Sequence, residues 1–286
     1  MAKLIKARVN RSTGGDVGLF IVIIFFACVM VLPMIYAIIC SLKPLDELWI
    51  FPPRFWVANP TLKNFKDLFQ NLNDSWVPFS RYLFNTLFVS VIGTGGHVIL
   101  ASMAAYALSK KRFYGSDFFF KIITLSLMFS ASVTGIPTFI IMSKLHLIDT
   151  YWSIILPAFS STLGLYLMKQ FMEMMVNDAI IEAAKIDGAG EFRIFWKIVM
   201  PMVKPAWLTL VVFSFQGLWN ATGATYIYSE ELKSLNYAVS QIVSAGIARA
   251  GTGSAAIVFM MALPIIVFVF TQSNIVETMS SSGVKE

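Results

Sequence analysis

Charge is what this sequence lacks most. Only 13% of its 286 residues are Asp, Glu, Lys or Arg, where a soluble domain carries about 25%. With 57% hydrophobic residues and a mean hydropathy of +0.72, that scarcity excludes an ordinary soluble fold. Cysteine is nearly absent. Cys28 and Cys40 both fall in the first apolar run, which excludes a disulfide framework or a zinc site and leaves core cysteines. The net charge of +6 comes without any block of Lys or Arg. It describes membrane topology, and no nucleic-acid partner is expected.

Chemistry is missing as well. No phosphate-binding loop is present, since "GTGGH" at 93–97 has neither the spacing nor the lysine. No Ser/His/Asp set, HExxH or CxxC occurs, so the chain is not expected to be an enzyme or to bind a cofactor. Any active transport must draw its energy from another chain. Ionisable groups inside a membrane are costly and usually functional. None stands in the middle of the apolar runs except His97, expected to be a hydrogen-bonded packing residue. A proton- or sodium-driven pump and a charged solute are therefore disfavoured.

What is present is a set of long apolar runs. A bilayer core of about 30 Å needs roughly 20 apolar residues in a helix. Six stretches qualify, at about 17–42, 82–109, 118–143, 152–172, 206–228 and 255–276. The expected fold is an all-α polytopic membrane protein, with tails at 1–16 and 277–286 and a membrane domain over 17–276. The first run is too long for a signal-peptide core and is expected to be retained. An even number of spans puts both ends on one side. That side carries 14 of the 22 Lys and Arg, including Lys3, Lys6, Arg8, Arg11, Arg112 and Lys285, and the other carries 8. The positive-inside rule then places both termini in the cytoplasm.

Two outer connections are long. Residues 43–81 hold Trp49, Phe51, Phe55 and Trp56, expected as an aromatic belt at the membrane interface, with a docking surface for an outer partner as the alternative. Residues 229–254 form a polar loop expected to end in a flexible Gly-Thr-Gly. No internal repeat is visible.

Small and hydroxylated residues recur at helical spacing. Ser126, Ser130, Thr134 and Pro137 share one stripe of the third span, and Ser153, Pro157, Ser160, Ser161 and Gly164 one of the fourth. In the fifth, Thr209, Phe213, Gln216, Asn220 and Gly223 step by four and three. At about 1.5 Å per residue, Gln216 and Asn220 lie about 15 and 21 Å above the inner end of that span. Ser160 and Ser161 lie about 12–14 Å below the outer end of the fourth. Such groups near the midplane, with Trp219 as an aromatic platform, suit an uncharged, hydroxyl-rich solute. Interhelical packing by Ser, Thr and Gly is the alternative.

The connection at 173–204 stands apart. "NDAIIEAAKID" reads as a short helix capped by Asn177, with Asp178 and Glu182 in its early turns and Gly188 at its end. Glu182 and Lys185 are spaced to pair. A second helix is expected from Glu191 through Met200, with Pro201 and Pro205 leading into the fifth span. Ala183, Ala184 and Gly188 are small enough for close approach by a partner. A solvated hairpin is the alternative.

Glu182-Ala183-Ala184, Gly188, Ile198 and Met200-Pro201 fall at the spacing E-A-A-x3-G-x9-I-x-L-P, with Met200 in place of leucine. This resembles the EAA signature of permease subunits of ABC importers. "IDGAGEF" resembles the carbohydrate branch, the maltose-permease-like subunits. Asn85-Thr86, "AAYAL" at 104–108, "LIDTYW" at 147–152, "LWN" at 218–220 and "MALPIIVF" at 261–268 are similar to other marks of that family. The tail "SSSGVKE" resembles its ending only loosely.

The resemblance implies six transmembrane helices with a cytoplasmic coupling helix between the fourth and fifth, in a bacterial or archaeal plasma membrane. Glu182, Ala183, Ala184, Asp187 and Gly188 would meet a cytoplasmic ATPase subunit, braced by Ile198 and Pro201. Two such ATPases would bind ATP and Mg. A second, distinct permease would complete the pathway, and an extracytoplasmic sugar-binding protein would deliver substrate. Ser160, Ser161, Gln216, Trp219 and Asn220 are the expected pathway residues. An importer for a glycerol derivative or an amino acid is the alternative, with an ATP-independent channel behind it.

Overall fold

A computed structural model describes residues 13–73, 77–111, 113–244, 246 and 249–282. The tail residues Lys3, Lys6, Arg8, Arg11 and Lys285, and Arg112, lie outside the described residues. Among the described residues the secondary structure is entirely helical. The chain divides into two compact units, Met1–Leu68 with Ala245–Val258, and Phe69–Ser244 with Phe259–Glu286.

In the first unit, α1 (Thr13–Leu42) is a single apolar helix, none of whose most apolar stretch is buried. Cys40 is buried near its end, whereas Cys28 is exposed on the bare helix and is not a core cysteine. The connection after it is more structured than the sequence suggests. It contains α2 (Leu45–Leu48) and the start of α3 (Lys63–Asn73). Asn64 donates to the carbonyls of Ser41 (2.8 Å) and Lys43 (2.7 Å), satisfying the orphan acceptors at the end of α1. Glu47 accepts from the backbone N–H groups of Ala58 (3.1 Å) and Asn59 (2.9 Å) and closes the loop over 48–59. The Gly-Thr-Gly at 251–253 is not a flexible linker. It is buried inside α14 (Ala250–Ser282), because Gly251 has no Cβ to collide with the Asn64 side chain.

The second unit is built around α4 (Phe79–Lys110), which packs on α7 (Trp152–Phe159), α8 (Thr162–Met175) and α12 (Lys204–Trp219). Between helices in lipid no hydrophobic force operates, so close packing decides. Glycines supply it. Gly93 admits Leu218, Gly96 admits Phe159, and Gly164 admits His97 and Leu210. Of the small residues Ala101, Ser102, Ala104 and Ala105, which the sequence suggests as packing residues, all but the exposed Ala104 are buried.

Three expected spans change on inspection. The third is two helices, α5 (Ser116–Ser126) and α6 (Ala131–Lys144), parted at 127–130 where Ser130 turns extended. The Ser126–Thr134 stripe is therefore interrupted. The fourth breaks at Ser160–Ser161. Pro157 removes one backbone donor, and the Ser160 hydroxyl binds the Pro157 carbonyl (2.9 Å), competing with the helix. The fifth ends at Trp219 rather than near 228. Asn220 is its cap and Gly223, at φ +66°, turns the chain back on itself. Three helices, Gly14–Leu42, Phe79–Lys110 and Ala250–Gln272, are each long and apolar enough to cross a membrane. A fourth counts if Glu191–Met202 and Lys204–Trp219, bent by 80°, are one span.

Outside the helices, the polar segment after α12 is held down. It carries a 3-10 turn (Glu230–Leu232) and α13 (Leu235–Ser244). Buried Asn85 donates to the carbonyls of Glu231 (2.8 Å) and Lys233 (2.9 Å) and accepts from the Tyr151 hydroxyl (2.7 Å). Asp149 accepts from the backbone N–H groups of Tyr228 and Ser229, both at 2.9 Å, and from the Ser229 hydroxyl. Those bonds, the Ser229 hydroxyl foremost, hold its carboxyl below the usual carboxylate range.

Candidate functional site

Local rules make the loop between α8 and α12. In α9 (Asp178–Ile186) the Asn177 side chain accepts from the Ala179 N–H at 3.0 Å, capping the first turn. Gly188 stops the helix at φ +76°. The Gly188 N–H bonds Lys185 O (3.0 Å) and the Ala189 N–H bonds Ala184 O (2.9 Å), the paired bonds of a Schellman end. A Cβ at Gly188 would meet open space, so the backbone angle and not crowding requires glycine there.

Two cationic ties fix this helix and the segment after it to the end of α4. The largely buried Lys110 ammonium donates to Val176 O (2.6 Å) and Asp178 Oδ1 (2.8 Å). Glu191 accepts from Lys111 and from the Tyr106 hydroxyl (3.0 Å). The Lys111 ammonium holds the Glu191 carboxyl below its ordinary range. Lys185 faces Glu191 at 3.6 Å rather than pairing with Glu182.

One face of α9 is buried and one is bare. Ile181 and Ala184 sink into a core with Ile194, Phe195, Val199 and Val203. Ala184 therefore faces its own protein and is not part of an accessible surface. Glu182, Ala183, Asp187 and Gly188 are exposed, as is Pro201, while Ile198 packs against the core. Sequence reasoning missed Ile186, which is 86% exposed at the end of the helix, and Phe192, which is 74% exposed. Both are large apolar residues off the buried face, and a helical wheel anchored on Ile181 and Ala184 would have found Ile186.

The expected pathway residues do not gather at one place. Ser161 lines a cavity of about 250 Å³ with Ala158, Gly164, Leu210, Phe213 and Ser214. Ser160 is exposed at the helix break beside it. Gln216 lines a different groove of about 210 Å³, with Phe215, Pro264 and Phe268. Trp219 is no open platform. It is 1% exposed, stacks on Phe215 at 5.9 Å and donates its indole N–H to Met260 O at 2.8 Å. On α12, Phe213, Gln216, Gly217 and Asn220 form one exposed stripe, and the Gln216 amide has no partner among the described residues.

His97 is buried as expected. Its Nδ1 bonds the Ala158 carbonyl at 2.5 Å, next to the break in the α7–α8 helix. Nε2 has no hydrogen-bond partner among the described residues and lies against Gly164. No group of His, Cys, Asp and Glu able to hold a metal occurs among the described residues.

The family model described as "Binding-protein-dependent transport system inner membrane component" matches residues 97–280. That range includes the capped helix, its glycine stop and the exposed stripe. The chain belongs to this family. A binding-protein-dependent permease of this kind is a transport component and not an enzyme. Similar proteins include LplC of Bacillus subtilis, 32% identical over 67% of this chain and 62% of LplC. This chain thus spans less than two thirds of LplC in that match. Others are the sn-glycerol-3-phosphate permease UgpE of Yersinia enterocolitica (30%; 74% of this chain, 75% of UgpE) and the polygalacturonan/rhamnogalacturonan permease YtcP of Bacillus subtilis (30%; 74% and 72%). The fold matches a chain of a bacterial ABC transporter that imports the acidic polysaccharide alginate. The TM-score is 0.77 at 24% identity, over 93% of this chain and 99% of the other.

Proposed function

We propose that this binding-protein-dependent permease serves an ATP-driven sugar importer and forms half of its translocation pathway. One observation carries the reading. A capped, Schellman-terminated helix is bolted to the end of α4 by Lys110 and holds Glu182, Ala183, Ile186, Asp187 and Gly188 outward on a rigid base. A rigid, exposed stub is what an ATPase subunit needs in order to push on the helices. Closure of two ATPases around ATP and Mg would draw the paired stubs together and swing α4 and α12 with them. An outer binding protein supplies the solute, and a second, distinct permease supplies the other half of the path.

In this reading the chain crosses the membrane six times with both termini in the cytoplasm. The broken pairs α5–α6 and α7–α8 each make one crossing, and residues 173–204 are cytoplasmic. The exposed α12 stripe supplies Gln216 and Asn220 to the pathway, and Ser160 and Ser161 line it at the helix break. The stripe carries no ionisable group and so offers no charge to pair with an anionic solute, although YtcP and UgpE are themselves named for anionic ones. The likeness to YtcP favours a saccharide, and the comparable likeness to UgpE keeps a glycerol derivative as the second reading.

The test is Gly188→Val in the whole transporter. A valine at φ +76° would unwind the helix stop. Uptake and substrate-stimulated ATP hydrolysis should fall to background while the chain remains in the membrane. A cysteine at Ala183 should crosslink to the ATPase in the parent protein. Normal uptake by the valine variant, or uptake by the chain alone in vesicles without ATP, would overturn the proposal.

A further inference from the structure

The segment Glu191–Met202 runs at 80° to α12, the membrane helix it feeds. A segment so bent from a spanning helix lies along the membrane surface. Its middle is a wide π turn (Phe195–Val199) that keeps Ile194, Phe195 and Val199 in the core and leaves Phe192, Arg193, Trp196 and Lys197 on the outer face. The two exposed rings pack edge to face at 6.1 Å. Arg193 and Lys197 have no carboxylate partner among the described residues. The acid at the head of the segment, Glu191, is engaged by Lys111, Tyr106 and Lys185 and does not neutralise them. The outer face is therefore two aromatic rings beside two free cations, on an amphipathic helix parallel to the bilayer.

We propose that this face binds anionic lipid headgroups of the cytoplasmic leaflet, with Phe192 and Trp196 at the acyl boundary and Arg193 and Lys197 on the phosphates. The chemistry fits at both ends. Aromatic rings settle at membrane interfaces, and basic amphipathic helices lie in them. A cation near an anionic leaflet gains about 1 kcal/mol, or roughly fivefold in lipid preference. The consequence is mechanical. The lipid surface backs the stub formed by α9, so a push from below is passed to α12 rather than lost in rolling the surface helix. The inference rests on the cytoplasmic placement of residues 173–204 proposed above.

The test uses the full chain with its co-purified partners in nanodiscs of phosphatidylcholine, with or without phosphatidylglycerol. Cys28 and Cys40 are replaced by alanine, and a bimane probe is placed at Phe192→Cys, Trp196→Cys or, as a control, Ile186→Cys. The first two probes should be quenched by headgroup-nitroxide lipid and shielded from aqueous iodide, and the Ile186 probe, which faces the ATPase in the proposed reading, should escape the nitroxide quenching. Arg193→Gln and Lys197→Gln should each lower the retained ratio of phosphatidylglycerol to phosphatidylcholine, read by native mass spectrometry, by roughly fivefold. Iodide-open probes at 192 and 196 overturn the lipid contact while leaving the permease reading intact. Shielding that requires the ATPase and not the lipid also overturns it, in favour of a protein occupant. Labelling of the Ile186→Cys chain from the outer side of sealed vesicles overturns both.

Discussion

Two helices of nearly equal length, α1 and α4, are opposites. The most apolar stretch of α1 is 0% buried, while that of α4 is 44% buried. Their sequences differ to match. From Phe20 to Tyr36, α1 offers no hydroxyl other than Tyr36 itself and no amide. Along its length α4 carries Asn85, Thr86, Ser90, Thr94, His97 and Ser102, all buried. A helix that meets lipid can be uniformly greasy. A helix that meets other helices needs small residues for approach and polar ones for direction. The more apolar span is thus the one that organises less of the fold.

The sharpest way to break that comparison is to add volume to both sides. Gly164→Val on α8 would drive methyls into His97 and Leu210, and overpacking of this kind costs about 1–3 kcal/mol. Gly18→Val on α1 meets nothing within 4 Å and should stay within about 0.5 kcal/mol. Thermal unfolding of the purified variants would measure both, and equal losses would refute the contrast. Asn85→Ala strands the Glu231 and Lys233 carbonyls and the Tyr151 hydroxyl, with an expected loss of about 1–3 kcal/mol. Hydrogen exchange should speed up at 229–235 and stay unchanged in α1. A smaller effect is expected for Trp219→Phe, which keeps the stack on Phe215 but loses the bond to Met260 O, at about 0.5–1.5 kcal/mol.

The smallest effect is that of pH at the Lys110–Lys111 end of α4. The Glu191 carboxyl is depressed by Lys111, so its stabilisation is complete above the ordinary glutamate pKa of about 4.3. It is lost as pH falls through the lowered folded-state value. Hydrogen exchange at 178–190 should rise over that acid range. Glu191→Gln should show the looser state at neutral pH and little further change on acidification.

Features that act over a few residues were legible in the sequence. Asn177 and Gly188 set the ends of α9 by hydrogen bonds and a backbone angle, and both could be read from spacing. The helical segment from Glu191 was equally plain. Pro157 marked a bend near 160–161, but the break at 127–130 was not legible, because apolar content runs straight through it. Serine hydroxyls competing for helix carbonyls leave no mark on hydropathy. Periodicity also could not say which neighbour covers a face. Trp219 and Asn220 are adjacent at the end of one helix, yet the first is sealed by Phe215 and Met260 and the second is exposed. Ala184 misled for the same reason, since a small residue suits a core as well as an interface.

The early end of α12 has a further effect. Sixteen residues reach about 24 Å, short of the roughly 30 Å of hydrocarbon. Bare peptide groups cannot face lipid tails, so irregular chain at that depth is tolerated only against protein or water. On the proposed topology residues 220–228 therefore stand on protein at that depth, with Ile227 buried, Gly223 set against Ile154 and Tyr226 stacked on Phe139. The upper part of that crossing is then a folded cap of irregular chain, which a solute passes before it meets Asn220 and Gln216.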